Sequence, residues 1–138
     1  MRYLLPIFFA CFLLHCGKPP SVSPHAPLLE SGVESVGKIF RATISWVAHP
    51  KARQYATARV QITLPIASVT SLDAIIFDPQ MPTHGHGTFV DDQKVTVDPP
   101  NTIQVENVFF AMGGPWVVHV TATVNGKTDT VLLPVDVP

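Results

Sequence analysis

The feature that most constrains this chain is Asn125-Gly126, set between two runs of alternating apolar residues. Asn-Gly accepts the two positive φ angles of a type I′ turn, and that turn joins neighbouring antiparallel strands. On the way in, Trp116, Val118, Val120, Ala122 and Val124 alternate with smaller or polar residues; on the way out, Val131, Leu133, Val135 and Val137 do the same. A two-residue loop pairs Val124 with Lys127. The same register sets Val120 against Val131, Val118 against Leu133 and Trp116 against Val135. Cross-strand partners share a face, so both apolar sets fall on one side of the hairpin. An isolated hairpin is marginal in water, so this face requires further strands to cover it.

The preceding residues supply them. Residues 38–48 alternate, with Phe40, Ala42, Ile44 and Trp46 on one face, and His49-Pro50 ends the run. Residues 56–64 alternate again through Ala58, Val60, Ile62 and Leu64, closed by Pro65. Residues 69–77 are more uniformly apolar, as in a strand covered on both faces, and Asp78-Pro79 breaks the pattern. Two more strands are predicted at 93–97 and 102–110, separated by the turn cluster Asp98-Pro99-Pro100-Asn101. The chain has 14 prolines and 8 glycines, and no helical periodicity competes with this reading. About seven short strands divided by turns describe an all-β fold, an antiparallel β-sandwich of immunoglobulin-like type, with an up-and-down barrel as the alternative. Its 138 residues suit one domain, placed at residues 38–138.

The N-terminus reads differently. Met1-Arg2-Tyr3 precedes an apolar run from Leu4 to Leu14, too short to span a bilayer and suited to a signal peptide over residues 1–15. Leu13-Leu14-His15-Cys16 resembles the lipobox of bacterial lipoproteins, with His15 where a small residue is usual. The resemblance makes Cys16 the lipidation site and the protein an exported lipoprotein of the cell envelope, anchored at a membrane surface and facing the periplasm. Gly17 stands where aspartate is associated with inner-membrane retention, which points to the outer membrane. An ordinary secretory signal with an incidental cysteine is the alternative. Residues 16–37 are rich in Pro and Ser and read as a tether, with His25 as a solvated linker residue.

Several function classes find no support. The net charge of -1 and the lack of a Lys/Arg cluster leave no footprint for nucleic acid. Both cysteines, Cys11 and Cys16, precede the domain, which excludes a disulfide framework or a Cys-type zinc site there. No Gly-x-Ser-x-Gly, phosphate-binding loop or dinucleotide fingerprint occurs, and the chain is not read as an enzyme. Asp91-Asp92 would point to opposite faces of a strand and reads as a solvated turn.

One window concentrates soft ligand atoms. Met81-Pro82-Thr83-His84-Gly85-His86-Gly87-Thr88 holds a thioether and two imidazoles. Spaced i, i+2, His84 and His86 project the same way from an extended backbone, and a Met/His set suits copper better than magnesium, calcium or zinc. A second Gly-rich segment, Phe110-Ala111-Met112-Gly113-Gly114-Pro115-Trp116, brings Met112 as a fourth candidate if both loops emerge at one end of the sandwich. The bland alternatives are a Gly-rich surface loop that happens to hold two histidines, and a Met112 that fills a core gap beside two phenylalanines. His49 reads as a turn residue, and His119, opposite Leu132 on the non-core face, as structural or exposed.

These two motifs in this order, followed by an alternating hairpin, resemble the YtkA-like/FixH-like group over residues 38–138. The group comprises small extracytoplasmic β-domains, many of them membrane-anchored. The resemblance implies an immunoglobulin-like fold, a link to copper handling or to assembly of copper-dependent respiratory machinery, and Met81, His84, His86 and Met112 as metal ligands. Three readings follow: an envelope copper carrier, chaperone or buffer; a metal-free module whose end loops bind an envelope protein partner; and a structural envelope lipoprotein.

Overall fold

A computed structural model of the chain describes residues 32–64, 72–98 and 101–138. The expected signal peptide, Cys16, His25, most of the tether and residues 69–71 lie outside the described residues.

The described residues form nine strands: β1 (Val33–Glu34), β2 (Arg41–Trp46), β3 (Tyr55–Thr63), β4 (Leu72–Met81), β5 (His86–Gly87), β6 (Lys94–Asp98), β7 (Thr102–Phe109), β8 (Gly114–Val124) and β9 (Lys127–Val137). They form two antiparallel sheets, ordered β1-β2-β3-β7-β6 and β5-β4-β8-β9. Without the two-residue strands β1 and β5, seven remain. Their order matches the four-plus-three arrangement of a constant-type immunoglobulin sandwich.

The hairpin register is the expected one: Val124 pairs with Lys127, Val120 with Val131, Val118 with Leu133 and Trp116 with Val135. Asn125 and Gly126 take φ of 48° and 73°, the left-handed pair that a type I′ turn needs. Val118, Val120, Val131 and Leu133 share one buried core with Val60, Ile62, Ile103 and Val105 of the other sheet.

One departure from the sequence reading follows from hydrogen-bond direction. Strand β4 does not stop at Asp78-Pro79 but runs on to Met81. The Pro79 carbonyl accepts from the Thr88 amide, so its polar groups face the β5 edge, and the missing N–H removes nothing from the ladder with β8. The same geometry admits Pro134 in β9. It pairs with Val117 at a non-hydrogen-bonded position, counting back from the Val124–Lys127 pair, and β9 is an edge strand.

The packed domain also begins earlier than residue 38. Val33 and Glu34 pair with Ala42 and Arg41, and Ser35 is buried. Its hydroxyl accepts from the amides of Ile39 and Phe40. The Asp129 carboxylate at the start of β9 accepts from the Gly37 amide at 2.9 and 3.0 Å and from the Ile39 amide at 3.3 Å. The Val36 amide donates to the Thr130 carbonyl. The segment between β1 and β2 therefore covers one edge of β9.

Candidate metal centre

Strand direction gathers four segments at one end of the sandwich. β4 ends there at Met81 and β8 starts there at Gly114. β7 ends and β3 begins at the same level, since Tyr55 pairs with Phe109. The Arg53 amide donates to the Phe110 carbonyl and the Ala52 amide to the Pro138 carbonyl, tying the β2–β3 loop to this end.

The Met-His window is a tight hairpin rather than an open loop. Met81 closes β4 and pairs with His86 in β5. The amides of His84 and Gly85 both donate to the Met81 carbonyl at 3.0 Å, folding the four intervening residues into a turn. The His84 and His86 rings stand 5.9 Å apart, centre to centre, and both side chains are exposed. His86 Nδ1 lies 3.4 Å from the Gly87 carbonyl. A carbonyl only accepts, so this contact favours the Nδ1–H tautomer and leaves the Nε2 lone pair free of it.

The two methionines exchange their expected environments. Met81 is 2% exposed and belongs to the core, whereas Met112 is 37% exposed on the loop ahead of β8. Alternation explains this: Phe77, Pro79 and Met81 share the inward face of β4. The Met81 Cε lies against Gly114, where an added Cβ would sit 2.8 Å from it. The second Gly-rich segment thus meets the first at this point.

Trp116 joins the segments a second time. Its Nε1–H donates to the Met112 carbonyl at 3.1 Å. Its ring meets His86 edge-to-face, with centroids 5.8 Å apart and planes at 69°. Trp116 carries no ligand atom, and its alternation marks it only as core, so sequence reasoning gives no cause to count it with the site. The structure therefore brings His84 and His86 together, sets Met81 beneath Gly114, and ties the Met112 backbone to the indole that abuts His86. His119 stands apart from this group, pairing with Asp78 and Leu132 on the outer face of the second sheet, and His49 is on the β2–β3 loop. Among the described residues, no three His, Cys, Asp or Glu side chains converge. The donor atoms that the two Gly-rich segments carry are the imidazoles of His84 and His86 and the thioethers of Met81 and Met112, a combination that fits copper.

No protein-family model and no curated protein matches the chain. Among solved structures, the chain is similar to the crystal structure of the Lin-41 filamin domain, at 13% identity and a TM-score of 0.47, over 70% of this chain and 91% of that one.

Proposed function

We propose that this chain is an exported, envelope-anchored copper-binding protein, a carrier, chaperone or buffer of the YtkA-like/FixH-like kind. Lipidated Cys16 would hold it at the outer membrane, facing the periplasm. His84 and His86 would bind the metal with Met112 from the neighbouring loop, and Met81 would close the site from the core side. The observation that supports this most is the meeting of the two Gly-rich segments at one end: Met81 against Gly114, and His86 against the indole that holds the Met112 carbonyl. Copper bound there would be held for transfer rather than for catalysis.

The test is titration of the purified protein with Cu(I) and Cu(II), repeated on His84→Ala/His86→Ala. The reading expects one equivalent bound by the parent and affinity lowered at least tenfold in the variant. No binding by the parent, or equal binding by both, refutes it.

A second reading, a metal-free module for an envelope protein partner, is favoured by one observation. All five residues of the edge strand β6 are exposed, with Val95 and Val97 uncovered although they pair with core residues of β7. Exposed sheet edges accept strands from partners.

A further inference from the structure

We infer that Trp116 is a positioning residue for the candidate site, fixing the His86 ring and the Met112 loop relative to each other before metal arrives. The inference rests on the copper reading of that site. A buried position in β8, 1% exposed, calls only for a large apolar side chain. Two contacts ask for more. The Nε1–H to the Met112 carbonyl reaches back four residues and pins the exposed loop to the core. The ring packs edge-to-face on His86, which belongs to a different hairpin.

The indole is itself held. Phe110 packs against it at 5.2 Å and 73°, and Trp46 packs against Phe110 at 5.6 Å and 66°. A continuous run of rings thus extends from Trp46 in the first sheet to the imidazoles at the surface. His84, His86 and Met112 are exposed side chains on separate loops, and ordering them on binding costs conformational entropy. An anchor already fixed by the core reduces that cost, which is the general basis of preorganised sites. Leucine would fill the space without holding either loop, and phenylalanine would keep the ring but lose the donor.

The experiment uses the full-length protein with Cu(I) as probe. The chain has two tryptophans, Trp46 and Trp116, so Trp46→Phe leaves Trp116 as the sole indole. In that variant, one equivalent of Cu(I) is expected to quench the emission by at least half. The quench is expected to disappear when His84→Ala/His86→Ala is added. In Trp116→Phe, Cu(I) affinity from chelator competition is expected to fall about tenfold, as loss of one net hydrogen bond implies. If the parent binds no Cu(I), this inference is overturned, and if it binds no Cu(II) either, the copper reading fails with it. If the parent binds through His84 and His86 while the Trp116 emission does not move, or Trp116→Phe binds as the parent does, this inference alone is overturned. Should Trp116→Phe not fold, the emission of Trp46→Phe decides.

Discussion

Gly114 shows how one residue connects stability to the candidate site. Its φ of 123° is closed to L-residues with side chains, and its missing Cβ leaves the space that the Met81 Cε fills. Gly114→Ala therefore meets backbone strain and a buried methyl together. The strain costs about 1–3 kcal/mol, and Met81 must leave its place under the loop. The urea midpoint is expected to fall by the corresponding amount with no change in slope; a midpoint shift below about 0.5 kcal/mol, the range of neutral surface changes, refutes the account. Part of this was legible: a Gly-Gly-Pro run marks a special backbone. That Met81 is its neighbour was not, because the alternation breaks at Asp78-Pro79 in the sequence, and only the direction of the Pro79 carbonyl shows the strand continuing. The same extension buries Met81, while Met112 lies at the surface on the loop ahead of β8, the reverse of what a loop methionine and a methionine beside two phenylalanines suggest.

Among elements, those with strict alternation and flanking turn residues were legible: β2, β3, β7 and the β8–β9 hairpin. Short elements held by side chains were not, and β1 is the clearest case. Two residues cannot show a period. What holds the segment is Asp129, ninety residues away in sequence, through the amides of Gly37 and Ile39 and the Ser35 hydroxyl. Desolvation pushes the Asp129 carboxyl up, but hydrogen bonds from Ser35, Gly37, Thr130 and Ile39 together outweigh it and hold the group below its ordinary value of 3.8. The sign of the linkage follows. A carboxyl more acidic in the folded state adds stability that is fully present above its unfolded value, and that stability disappears as pH falls through the folded value. Thermal melts from pH 6 to 2 are expected to show a steeper acid loss in the parent than in Asp129→Asn, which is already less stable at neutral pH. Parallel acid limbs would show that the clip does not depend on ionised Asp129.

At the scale of the whole molecule, the sandwich separates what supports the fold from what the candidate site uses. β8 runs from Gly114, over Met81, to Val124, at the Asn125-Gly126 turn. Its 11 residues at roughly 3.3 Å each set these ends about 33 Å apart. The Asp129 clip lies at the turn end, and both Gly-rich segments lie at the other. Distant sites with no shared partners act additively on stability, and a site ordered by local contacts does not sense a perturbation that far away. Gly126→Ala tests this. At φ 73° an added methyl meets nothing within 4 Å, so its cost is left-handed backbone strain alone, about 1–2 kcal/mol. The melting temperature is expected to drop, at about 4 °C or more per kcal/mol for a domain of this size, while Cu(I) affinity stays within twofold of the parent. Gly114→Ala, costing a similar amount at the other end, is expected to lower stability and Cu(I) affinity together, because it displaces Met81. If Gly126→Ala weakens metal binding as much as Gly114→Ala does, binding follows global stability rather than the local meeting of two loops, and the ligand assignment loses its structural basis.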